Sequence, residues 1–175
     1  SVTPNGTNLF NWASSGYHYG DTYILGFSHT RLSGTGARDM GHFRVTPNIG
    51  SAYPLDRLSK PLIFSHDDEV ATAGYYAVYL SGIKCMAELT AIEHVGAHRY
   101  TFGTDKDALI YIDATSFLYD GRAFDGKISI DENGTITGEA LVDTQFTGRY
   151  GGLKAYFAAK TSVPSSSYSF WQDGE

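Results

Sequence analysis

Charge is scarce in this sequence. Asp, Glu, Lys and Arg make up only 18% of it and sum to a formal −6. Without a basic excess there is no field to gather phosphates, so no nucleic-acid partner is expected. Cysteine is scarcer still. Cys85 stands alone, which rules out an intrachain disulfide and a cysteine-based zinc site. Its apolar neighbours in "IKCMAEL" mark a buried structural thiol rather than a nucleophile. No apolar run is long enough to cross a membrane as a helix, and no signal peptide is visible, so no membrane partner is expected. Also missing are a phosphate-cradling glycine loop ending in Lys-Ser or Lys-Thr, an internal repeat, and an amphipathic helix of three turns. The chain starts at "SVTPNGTNLF" without methionine and stops at "SFWQDGE". A processed protein or an excised domain is the expectation.

Tyrosine, by contrast, is abundant. It occurs 13 times in a chain of 175 residues that is 42% hydrophobic and 14% aromatic. That composition suits half-buried strands and polar binding walls, and it argues against disorder. The length allows one domain, residues 1–175, with a sizeable core. Apolar residues recur at a period near two in "YYAVYL" (75–80), "IKCMAELTA" (83–91), "HRYTF" (98–102), "ALIYIDA" (108–114), "KISID" (127–131), "TITGEALV" (135–142) and "KAYFAAKT" (154–161). These predict strands. "SG" at 81–82 reads as a tight hairpin, and Asn133-Gly134 in "DENG" as a two-residue turn needing positive φ. "SHDDEVA" carries a helix-start signal, Ser65 followed by Asp68, before strand-like residues take over. The fold class predicted is all-β, an antiparallel β-sandwich or barrel with little helix.

Residues 1–50 are different, poor in alternation and rich in Gly, Asn, Ser, Thr and aromatics. Ordering such a long irregular segment costs entropy that some function usually offsets. Trp12, Tyr17, His18 and Tyr19 suit a stacking platform for the apolar face of a sugar, or equally a loop pinned down by aromatic packing. "LGFSHTRLSGTG" (25–36) joins His29, Arg31, Ser33 and Thr35 to three glycines, with Asp39 close behind. Glycine lets backbone N–H groups approach a ligand, Arg31 offers a rigid donor fork, and His29 donates or accepts near neutral pH. That inventory matches a neutral polyol. From the residues alone, a loop held by its own bonds around a buried histidine is the plainer account.

Other chemistries are weaker. Ser33, His29 and Asp39 are close in sequence, but no G-x-S-x-G elbow supports a hydrolase triad. His94 and His98 have i, i+4 spacing in a stretch read as strand, which does not make a helical zinc pair. Asp67, Asp68 and Glu69 lack the alternating oxygens of a calcium loop and read as a solvated acidic turn. "NGT" at 5–7 and 133–135 matches a glycosylation acceptor, though the second already serves a turn.

Taken together, "SSGYHYGDTYILGFSHTRLSGTGARDMGHFRVTP" resembles the signature stretch of the N-terminal domain of family 92 glycoside hydrolases, calcium-dependent exo-α-mannosidases. "FSHDDEVATAGYYAVYL", "ELTAIEHVGAHRYTF", "KISIDENGTITG" and "YFAAKTSVPSSSYSFW" follow in the family's order, so the resemblance covers nearly the whole chain. It implies a galactose-mutarotase-like β-sandwich, preceding a larger helical catalytic domain that carries the catalytic carboxylates and most calcium ligands. It also implies mannose-containing glycans as ligand and a secreted, periplasmic or cell-surface setting. Trp12 matches the family's aromatic at the leaving-sugar subsite. His29, Arg31, Ser33, Thr35 and Asp39 would face ligand or catalytic domain. No residue of this chain is expected to be catalytic or to hold a metal. Arg31 departs from the family's usual histidine, and "ARD" from its usual cysteine and acidic pair. The rival readings are a free-standing carbohydrate-binding module and a mutarotase-like epimerase with His29–Asp39 or His98–Glu88 as acid and base.

Overall fold

A computed structural model describes residues 1–4, 16–30, 40–50, 62–104, 106–118 and 122–172. The described residues form strands β1 (Tyr23–Ile24), β2 (Arg44–Ile49), β3 (Leu62–Ile63), β4 (Glu69–Thr72), β5 (Tyr75–Leu80), β6 (Cys85–Ile92), β7 (Val95–Phe102), β8 (Ala108–Asp113), β9 (Arg122–Ile130), β10 (Thr135–Asp143) and β11 (Leu153–Lys160). The remaining elements among them are short 3-10 turns. Every ladder is antiparallel: β4-β5-β6-β7, β11-β10-β9, β2-β8 and β1-β3. Single bridges, Val2 to Gly26 and Phe27 to Val45, tie the early chain to these sheets. The all-β antiparallel expectation holds.

The alternation that predicted the strands is what builds the core. In the four-stranded sheet, register places Tyr76, Leu89 and His98 in one row, and Val78, Ala87 and Tyr100 in the next. With Leu80, Cys85 and Phe102 they form the inner face, packed with Ile24, Phe27, Leu62, Phe64 and Ile83. Burial pushes the Cys85 thiol up to about 11, which suits the inert role read from its neighbours. The intervening row, Ala77, Glu88 and Arg99, points the other way. There Arg99 and the Tyr75 hydroxyl donate to the Glu88 carboxylate and hold it down at about 2.

Two turns differ from their predicted form. Residues 81–83 make a 3-10 turn closed by Lys84 in the left-handed region, rather than a two-residue hairpin. At 131–134 only Gly134 takes positive φ (73°). Asn133 does not, because Asp131 organises the turn: its carboxylate accepts from the Asn133 and Thr135 amides at 2.9 and 2.8 Å. In "SHDDEVA" Ser65 caps a single 3-10 turn, His66–Asp68, and the β-branched residues that follow return the chain to strand.

Candidate functional site

Of the stretch 25–36, residues 25–30 are described; Phe27 is fully buried and exchanges both backbone hydrogen bonds with Val45 at 2.8 Å. One residue on, the Ser28 hydroxyl donates to the His42 carbonyl at 2.7 Å, and the Thr30 hydroxyl to the same oxygen at 3.0 Å. The Gly41 amide donates to the Thr30 carbonyl at 2.7 Å. Residues 28–30 and 40–42 are therefore held side by side by three hydrogen bonds, forming a narrow neck. On the return side Met40, Gly41 and Phe43 all take positive φ (71°, 87° and 55°). Two of these are non-glycine residues, a strain that concentrates at ligand-contacting segments.

From this neck His29 reaches across to β7. Its Nε2 lies 2.6 Å from Nε2 of His98, whose Nδ1 lies 2.7 Å from the Tyr100 hydroxyl. The Phe27 ring meets His98 edge-on at 6.2 Å. Burial, with the His29 charge second, lowers His98 to about 4, so its ring is neutral at neutral pH. Gly96 makes room for this meeting: a Cβ there would fall far inside contact distance of the His29 ring.

A second cluster sits near the same sheet. The Glu69 carboxylate accepts from the Tyr17 hydroxyl (2.9 Å), the Tyr76 hydroxyl (2.5 Å) and His66 Nδ1 (2.7 Å). His66 Nε2 lies 2.6 Å from the Tyr19 carbonyl, and the two rings stack at 4.1 Å. The "SGYHY" and "SHDDE" motifs, about 50 residues apart, are thus one clamp. Burial alone would raise the Glu69 carboxyl, but bonds from Tyr76, His66 and Tyr17 together outweigh it and hold the group below its ordinary range. The solvated acidic turn is corrected here. Asp67 and Asp68 are exposed, but the Glu69 side chain is only 9% exposed and both its oxygens are taken by protein donors. Glu69 is therefore unsuited to calcium, and the described residues contain no group of three or more His, Cys, Asp or Glu able to hold a metal.

The clamp has a signed pH dependence. His66 is raised, chiefly by its bond to Glu69, so its contribution is full below pH 6.5 and fades as pH climbs through the raised value. Glu69 is lowered, so its contribution is full above pH 4.5 and lost in acid. Thermal melts should show a decline on the alkaline side that His66→Gln abolishes. An unchanged alkaline limb in that variant would show that His66 does not drive it.

Of the six site residues predicted from sequence, His29 is described; Trp12, Arg31, Ser33, Thr35 and Asp39 lie outside the described residues. His29 is exposed and bonded to His98, not buried. The pairing of His98 with Glu88 as acid and base fails on register: Glu88 faces Arg99 on the outer side, and His98 faces Leu89 on the inner side. His94 lies in the turn before β7, 3.8 Å from Glu93 and not beside His98. Sequence reading weighed His98 as a zinc ligand or as an acid–base partner of Glu88, and Glu69 as a calcium ligand, and it passed over Tyr100; the partners these side chains take here were not among its expectations. For His98 and Tyr100 a signal was available, since both occupy the inward phase of an alternating strand, where an ionisable or polar group needs a partner.

The fold that carries this geometry has known counterparts. The model of the glycosyl hydrolase family 92 N-terminal domain matches residues 1–175. Among solved structures, the family GH92 α-mannosidase BT3965 from Bacteroides thetaiotaomicron in complex with mannoimidazole superposes with a TM-score of 0.78 at 32% identity, over 90% of this chain and 21% of that one. A second structure of that enzyme gives 0.75 at 33% identity, over 85% and 20%. The GH92 family glycosyl hydrolase ccman5 gives 0.70 at 26%, over 90% and 23%. No curated protein matches. The chain thus spans about a fifth of the length of these solved relatives. Both the match along its whole length and the shared fold lead to one conclusion: this chain belongs to the glycosyl hydrolase family 92 N-terminal domains.

Proposed function

We propose that this chain is the substrate-contacting and domain-docking wall of an exo-acting α-mannosidase, which hydrolyses terminal α-mannosidic bonds of glycans. The observation that carries the reading is the meeting of the strained, clamped neck at 28–30 and 40–43 with β7, which presents an exposed histidine on a rigid support. His29, with Trp12, Arg31, Ser33, Thr35 and Asp39 from the flanking segments, orients the sugar. Inverting hydrolysis needs two carboxyl groups roughly 6.5–9.5 Å apart with room for water. Glu69 and Glu88, the bonded carboxylates of the four-stranded sheet, are each committed to protein donors. On this reading, in line with the family resemblance, proton transfer and calcium binding belong to a larger catalytic domain. The purified 175-residue chain is expected to show no turnover of an aryl α-mannoside; reproducible turnover would overturn the assignment.

A binding module that works without a second domain is favoured by one feature, the Tyr19 ring, 71% exposed and stacked on His66. Calorimetry with manno-oligosaccharides separates the two readings. Millimolar or tighter binding by the chain alone supports the module, and absence of binding supports the half-site.

A further inference from the structure

Tyr100, His98 and His29 form a hydrogen-bonded line running from the core to the loop, and its direction follows from where the protons must be. The Tyr100 ring packs near Phe27 on the inner face, and burial pushes its hydroxyl up, so it keeps its proton. Among the described residues that hydroxyl has a single partner, His98 Nδ1 at 2.7 Å. Accepting from His98 would leave a part-buried O–H without an acceptor, which is unfavourable. Donating costs nothing, so Tyr100 donates. His98 Nδ1 is then the bare nitrogen, and the one proton of its neutral ring sits on Nε2. That N–H points at His29 Nε2, 2.6 Å away, which must accept. A neutral His29 then carries its proton on Nδ1, the reverse of the arrangement a solvated imidazole favours.

We propose that Tyr100 and His98 are positioning residues that lock His29 as the Nδ1–H tautomer, so that it meets a ligand oxygen as a hydrogen-bond donor and not as a base. The lock stands on the geometry of this chain alone. Its use toward a sugar hydroxyl rests on the glycan-contacting reading above. The donor role fits a polyol, whose hydroxyl and ring oxygens accept readily.

Nitrogen-15 NMR of the histidine-labelled 175-residue chain tests the lock above about pH 7.5, where an ordinary imidazole is neutral. His29 should show a pyrrole-type Nδ1 and a pyridine-type Nε2, and His98 the opposite. Tyr100→Phe should return His29 towards the Nε2–H form. His98→Leu should do so as well, while His98→Gln, which keeps a donor in place, should preserve Nδ1–H. These two variants cover the case in which Tyr100→Phe does not fold. An Nε2–H His29 in the unaltered chain, or a His29 tautomer indifferent to both His98 substitutions, overturns the lock. In the full-length enzyme, His98→Leu should raise KM for an α-mannoside several-fold with kcat little changed, and His98→Gln should restore it. If the tautomers are as expected and His29→Ala leaves KM unmoved, the glycan role falls and the lock remains.

Discussion

Replacing Phe27 by alanine should destabilise the domain by about 4 kcal/mol, the usual cost of emptying a large aromatic site in a packed core. For a domain of this size that corresponds to a fall of roughly 8–16 °C in the melting midpoint. The expectation is high because Phe27 has no exposed surface and its ring meets Tyr76, His98 and Tyr100 at 6.2–6.4 Å. Tyr76 belongs to the Glu69 clamp and the other two to the histidine line, so one cavity would loosen both. Phe27→Leu refills most of the volume and should cost only about 1–2 kcal/mol. Calorimetric melts of the two variants check this, and equal losses would show that the ring's shape is not what the core reads.

Glu69→Ala should cost about 3 kcal/mol, in the range found when one partner of a buried charged pair is removed. The loss comes from what is left behind. The Tyr17 and Tyr76 hydroxyls and His66 Nδ1 all lose their acceptor at once, in a part-buried site. Glu69→Gln keeps one carbonyl oxygen but turns an amide towards a donor, and should cost about half as much. Denaturant midpoints measure both. Tyr17→Phe combined with Glu69→Ala should cost less than the sum of the two singles, since both remove the same bond. Strict additivity would mean that the hydroxyl and carboxylate do not act together in solution.

The strands that could be read from sequence were those whose side chains alternate cleanly. "YYAVYL" gave 75–80 to the residue, because Tyr76, Val78 and Leu80 face the core and their neighbours face out. β2 was missed because Pro47 lacks an N–H and Asn48 is polar, both signals of a loop, yet the segment pairs with β8 along its whole length. β1, β3 and β4 run two to four residues, too short to display a period. In the site, the neck glycines and hydroxyls of 26–30 announced themselves by type. Their partners did not, since His98 is 69 residues from His29 and Glu69 is 52 from Tyr17. Such pairings are fixed by register and by which face a strand turns inward, information that no local window contains.

Gly96 carries an implication for engineering. The imidazole of His29 nests in space that any side chain at 96 would fill, so its placement is written partly in a different strand. Transplanting residues 25–30 alone into a foreign scaffold would carry the histidine without its seat; the β6–β7 hairpin has to travel with it.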